Sequence, residues 1–203
     1  MNLSIYCVDV GSIARGNFGW FGDLFDGTPL KGARPDDLVM SISSQLKGQD
    51  HIALGFECPL FVPVPDEPER LTIARTGEGP RPWSAGAGAG SLATGLTEAV
   101  WILRKLRLSC KVHPAYLDWD DFQKGVNGLF LWEAFVTGEN RGRSHEQDAE
   151  AAVNAFKAAL PNPHSANAVS CPQAYSLIGA ALLTTNWLTD LACLSQACLV
   201  IRA

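Results

Sequence analysis

The chain has 203 residues, 47% of them apolar and 18% charged, with a net charge of −5. That length suits one globular domain with a filled core and is cramped for two. The composition excludes a disordered chain, and the acidic balance excludes an overall attraction to nucleic acid.

The start, Met1-Asn2-Leu3-Ser4, carries no basic residue, and Asp9 interrupts the apolar run behind it, so no export signal is expected. The longest apolar stretch near the C-terminus is broken by Gln, Asn and Thr and ends at Asp190, too short and too polar to span a bilayer. Cys7, Cys58, Cys110, Cys171, Cys193 and Cys198 show neither a C-x-x-C pair nor zinc-finger spacing and sit mostly among apolar neighbours, as core thiols do. A soluble, cytoplasmic protein without a membrane partner is the expectation.

In chain order, residues 3–8 are almost continuously apolar, which predicts a central strand covered on both faces. Extended segments follow near 16–20 and, after the Asp26-Gly27 turn, in a short third strand, giving an antiparallel meander. Leu38, Val39, Ile42 and Leu46 repeat at helical spacing, so a helix is predicted over 35–47, with Asp36 and Asp37 in its first turn and Gly48 at its end. A buried strand over 52–56 ends at Glu57-Cys58-Pro59, and a long Pro- and Gly-rich loop fills 61–90. A second helix is predicted over 91–107, with Leu92, Leu96, Ala99, Val100 and Leu103 on one face. A strand over 129–136 comes next. A helix over 144–160 opens on the capping-box pair Ser144 and Gln147. A last helix over 172–188 and a terminal strand over 198–201 complete the reading. The predicted fold is therefore α/β: a mixed five-stranded sheet flanked by helices, with its core over 1–160 and a helical extension over 161–203.

Three acids occupy special places in that order. Asp9 ends the first strand, Glu57 ends the fourth, and Asp148 lies one turn into the helix after the fifth. Ligand sites of open α/β sheets collect beyond the carboxyl ends of parallel strands, so parallel first and fourth strands would bring Asp9 and Glu57 together. At about 100° per residue, Asp148 lies at the border of the apolar arc Ala149, Ala152, Val153, Phe156, and Glu150 faces away with Asn154 and Lys157. His145, three residues earlier, also points inward. Carboxylates gathered at a buried edge repel one another, and a hard divalent cation gives them a shared counter-charge. Taken singly, each has an ordinary alternative: Asp9 as a turn residue, Glu57 as a strand end, Asp148 as a dipole-complementing acid and His145 as a satisfied core or surface histidine.

Together these residues resemble the RNase H-like superfamily, and within it the RuvC-type Holliday-junction resolvases. There, acids end the first and fourth strands, and the last helix carries an Asp preceded three positions earlier by Asp or His, as in His145-Glu146-Gln147-Asp148-Ala149. A closer likeness is to the predicted nucleases of the domain family of unknown function numbered four hundred and twenty-nine. It is carried by Val8-Asp9-Val10-Gly11, Gly55-Phe56-Glu57-Cys58-Pro59, Arg81-Pro82-Trp83 and Leu131-Trp132-Glu133-Ala134, and spans most of residues 3–160. The resemblance implies a two-metal nuclease using Mg2+ or Mn2+, with Asp9, Glu57 and Asp148 as ligands, His145 assisting, and nucleic acid as partner.

Glu133, mid-strand among apolar neighbours, is either a fourth ligand or the partner of an arginine. Arg75, Arg81, Trp83 and Ser91 are candidate substrate contacts: Gly86-Ala87-Gly88-Ala89-Gly90-Ser91 opens a helix whose amides can hold a phosphate, and Trp83 can stack on a base. A hinge and a loop anchor are the plainer readings. Arg104, Lys105, Arg107 and Lys111 cluster at a helix end, where the macrodipole favours them. Two rival functions stand beside the nuclease. One is an inactive interaction module whose apolar face Ala174, Leu177, Ile178, Ala181 and Leu182 serves a partner or a dimer. The other is an actin-like phosphate-handling enzyme, suggested by Asp9-Val10-Gly11-Ser12.

Overall fold

The structure, a computed structural model, describes residues 2–79, 82–110, 113–136 and 142–203. Strand β1 (Leu3–Asp9) leads through β2 (Gly19–Asp23) and β3 (Pro29–Gly32) to helix α1 (Pro35–Lys47), β4 (His51–Phe56) and the short β5 (Phe61–Pro63). Then come α2 (Gly86–Ser109), β6 (Ala115–Tyr116), α3 (Trp119–Lys124), β7 (Leu129–Phe135) and α4 (His145–Ala158). The tail supplies β8 (Ala174–Ser176), α5 (Leu177–Thr184) and β9 (Leu199–Arg202).

Seven strands form one mixed sheet in the order β3-β2-β1-β4-β7-β6, with β9 also on β7. The two-residue β6 pairs with Leu129 and Phe130, and β9 pairs with the stretch from Trp132 to Phe135, so the two share one side of β7. The expected five strands are thus two too few. Two residues carry no readable alternation, which hid β6. The terminal strand was anticipated at 198–201, but nothing local says that it joins this sheet.

The central trio β1, β4 and β7 is parallel, and β2 and β3 fold back antiparallel. Helices α1, α2 and α5 cover the face built on Tyr6, Val8, Leu54 and Leu131. Helices α3 and α4 cover the opposite face, built on Cys7, Ala53, Phe130 and Trp132. Because side chains alternate along a strand, even-numbered residues of β1 and β4 and odd-numbered residues of β7 share the α2 face.

Helix α1 has the predicted bounds, with Pro35 in its first turn. Helix α2 starts five residues before the expected Ser91, inside the glycine-rich run, and α3 was not anticipated. The predicted helix over 172–188 is instead β8 followed by the eight-residue α5. Ile178, Ala181 and Leu182 are buried against α2, and Trp187 donates to the Leu103 carbonyl at 2.9 Å. The apolar face expected to serve a partner or a dimer is therefore packed within the chain. All six cysteines are free. Among the described residues, no helix is long and apolar enough to cross a membrane.

Candidate metal centre

Asp9 is the last residue of β1, and Glu57 follows β4 directly. The register sets Val8 beside Phe56, and the Glu57 amide continues the ladder by donating to the Val8 carbonyl at 2.7 Å. Both acids thereby leave adjacent carboxyl ends, with odd-numbered parity, toward α4. That helix opens on the Ser144 cap: Ser144 Oγ accepts from the Gln147 amide, and the Gln147 side chain accepts from the Arg143 amide at 2.7 Å. Gly19 on β2 makes the docking close. A Cβ there would lie 2.5 Å from the backbone at His145 and Glu146, so only glycine lets the start of α4 reach the sheet. One turn on, Asp148 is buried. Each of Asp9, Glu57 and Asp148 offers an oxygen within 4.8 Å of the other two.

Burial pushes the Asp9 carboxyl above its ordinary value, and hydrogen bonds from His145 and Glu57 pull it partly back. His145 Nδ1 meets Asp9 Oδ2 directly. A hydrogen bond between the Asp9 and Glu57 side chains requires a proton between two carboxyl groups, and a cation can take that place. The Gly142 amide donates to Asp148 Oδ1, which fixes this carboxylate from the loop side. The donor set is three hard carboxylates, which could hold a hard metal cation.

A fourth acid, Glu98, stands nearby and was not picked out from sequence. It lies on the buried face of α2 with Gly95, Ala99 and Ile102, and accepts from the Gly11 amide at 3.4 Å. Its carboxyl is pushed up to about 7, first by burial and further by the charge of Asp9. A signal existed: Glu98 shares helical spacing with Gly95 and Ile102, so the stripe facing the sheet contains a carboxylate. Of the expected face, Ala99 and Leu103 are buried but Leu92, Leu96 and Val100 are only half-buried, so the observed face is rotated toward Gly95, Glu98 and Ile102.

Glu133 does not join the cluster. It belongs to the odd-numbered side of β7, which faces α2, whereas Asp9 and Glu57 face α4. There it receives both terminal nitrogens of Arg75, at 2.7 and 2.8 Å, and the Leu60 amide at 2.9 Å. Of the two readings of Glu133, arginine partner or ligand, the geometry is that of the partner. Arg75 also bonds Glu78 at 3.0 Å and the Phe61 carbonyl, and its guanidinium lies over the Phe61 ring. Expected to touch substrate, Arg75 is instead 3% exposed, with its donors committed within the chain.

A cleft of about 400 Å3 joins these groups. Asp9, Glu57 and His145 line it, as do Arg75, Trp83 and Ser91. Trp83 is tied to its own loop by an indole bond to the Ile73 carbonyl at 3.0 Å, and Ser91 Oγ donates to the Gly88 carbonyl at 3.1 Å. Helix α2 starts at this cleft with no side chain capping its first amides. Arg81 and Lys111 lie outside the described residues.

Comparison with protein-family models, with curated proteins and with solved structures finds no match.

Proposed function

We propose that this protein is a divalent-cation-dependent phosphodiester hydrolase of nuclease type, built on an RNase H-like sheet. The observation that carries the reading is the convergence of Asp9, Glu57 and Asp148, from three separate elements, on one point within 4.8 Å. The order of two antiparallel strands beside a parallel trio, with the acids at the carboxyl ends of β1 and β4 and on α4, supports the RNase H-like assignment. Asp9, Glu57 and Asp148 would hold Mg2+ or Mn2+. Such ions, once bound, activate water and stabilise charge on the leaving oxygen.

The chain's own residues have distinct tasks. Asp9 is oriented by His145, and Asp148 by the Gly142 amide, so two ligands are fixed before any ion arrives. In the hydrolysis a water oxygen bonds to phosphorus, the ester P–O bond breaks, and the departing oxygen takes up the proton that the water gives up. His145, 37% exposed at the side chain, stands where such a proton can be exchanged with solvent. The apolar face of the tail that an interaction module would offer to a partner or a dimer packs against α2.

Calorimetric titration with Mn2+ tests the reading. The wild type is expected to bind the ion. Asp148→Asn and Asp9→Asn should each weaken binding by at least the roughly 10–100-fold that loss of a mere outer-shell partner costs, with unchanged circular dichroism. Equal Mn2+ affinity in all three proteins would remove the basis of the proposal.

A further inference from the structure

We infer that the cleft takes a single nucleotide unit of a small phosphodiester, a planar ring lying against Trp83 and its phosphate at the carboxylate cluster, in place of the backbone of a paired duplex. This rests on the cation-dependent reading above and goes further by naming the substrate class. Three independent observations lead to it.

The first is size. At about 400 Å3 the cleft falls toward the small end of ligand pockets, which run to roughly 300–1,000 Å3. It is a hollow for one small molecule, whereas a duplex lies across an extended groove. The second is charge. A duplex is held by roughly 6–10 phosphate contacts from lysine and arginine, each releasing counterions. Among the described residues lining the cleft, Asp9, Glu57, Glu78 and Glu133 face a single arginine, Arg75, and its donors go to Glu133, Glu78 and the Phe61 carbonyl. The whole chain is acidic as well, at −5. A small ester presents one phosphate, which a bound cation neutralises without help from a basic surface.

The third observation is a rigid aromatic wall. Trp83 lines the same cleft as Asp9 and Glu57. Its indole nitrogen is spent on the Ile73 carbonyl, and the adjacent Ser84 hydroxyl donates to the Thr72 carbonyl at 2.7 Å. The ring is thus held before any ligand binds, so stacking costs little ordering entropy. With its N–H already used, it offers a π-face that takes any flat ring and reads no base identity.

The test uses the full chain loaded with Mn2+. Thymidine 5′-monophosphate is titrated by calorimetry, and a labelled DNA duplex is followed by anisotropy at several salt concentrations. The nucleotide is expected to bind one per chain. Trp83→Ala should weaken it about tenfold, the low end of base–aromatic stacking, and Trp83→Phe should retain most of the affinity and guard against a folding artefact. The duplex should not displace the nucleotide. Duplex binding that displaces the nucleotide and falls steeply with salt would overturn the inference, as would nucleotide affinity equal in Trp83→Ala and wild type. The two levels separate cleanly. If Mn2+ binding depends on Asp9 but the nucleotide does not bind, only the substrate class fails; if Mn2+ binding ignores Asp9, both fail.

Discussion

The Arg75–Glu133 pair shows how one side chain can be mistaken for another kind of site. Two charged groups taken out of water are costly, and their bidentate bonds, the Leu60 amide and the Glu78 carboxylate offset that cost. Removing one member leaves the others uncompensated. Arg75→Met is therefore expected to lower stability by about 3–5 kcal/mol in urea unfolding. Glu133→Gln should cost less and leave Mn2+ affinity at the wild-type value, because both Glu133 oxygens are taken by Arg75 and the Leu60 amide. A large loss of Mn2+ affinity in that variant would return Glu133 to the ligand set. Parity decides this residue, but the sequence hides it: β7 is buried on both faces, so Leu131-Trp132-Glu133-Ala134 shows no alternation from which a face can be read.

Glu98 is the residue whose titration reports on the site. Its folded value near 7 stands above the ordinary 4.5, so between those values the folded chain holds a proton that the unfolded chain has released. Stability from this group is full below about 4.5, falls as pH rises through about 7, and is level above. Allowing for its partial contact with solvent, the loss is about 1–2 kcal/mol. Glu98→Gln should flatten that slope in unfolding measured with chelator present. Adding Mg2+ to the wild type should flatten it too, since a cation beside Asp9 favours the ionised form of Glu98.

At the scale of elements, the site depends on how closely two helices approach the sheet. Gly19 admits α4, and Gly95 admits α2, where a Cβ would meet Cys58 Sγ at 2.4 Å. Gly19→Ala places a methyl against backbone that cannot yield, so the start of α4 must move and carry Asp148 with it. A stability loss of about 1–3 kcal/mol is expected, with weaker Mn2+ binding by calorimetry. Gly90→Ala is the contrast: nothing lies within 4 Å of its Cβ position, and it sits inside α2. It should raise stability by about 0.5–1 kcal/mol and leave Mn2+ binding alone. These elements also mark what the sequence made legible. Helix α1 was readable from its apolar period, its first-turn acids and Gly48 at its end, and α4 from the Ser144 cap and its apolar period. The start of α2 was not, since a run of glycines reads as loop. The helix over 172–188 was anticipated but drawn too long: only Leu177–Thr184 is helical, and a segment apolar all round gives no period from which its ends can be read. Asp9 and Glu57 were found because each stands where an apolar run stops, and Asp148 because it borders the apolar arc of its helix; these are local signals. Their convergence was an inference from topology.

Across the whole molecule, the tail is part of the fold that holds the site. Asn167 Oδ1 accepts from the Val200 amide, and the Ala168 amide donates to the Val200 carbonyl, which clips β9 into place beside β7. The Arg202 guanidinium lies over Phe135 and donates to the Gly77 carbonyl, so the same strand fastens the loop that carries Arg75 and Glu78. Ile178, Leu182, Leu199, Val200 and Ile201 are all buried. At about 1.5–3 kcal/mol for each such side chain, they contribute about 8–15 kcal/mol, comparable to the whole stability of a typical domain. A chain ending at Leu160 is therefore expected to lose its cooperative thermal transition and to bind a hydrophobic dye. Saturating Mn2+ should not rescue it, because ligand at a hundred times its dissociation constant adds only about 2.7 kcal/mol. A truncated chain that melts cooperatively and still binds Mn2+ through Asp9 would show instead that the first 160 residues hold the carboxylates together unaided.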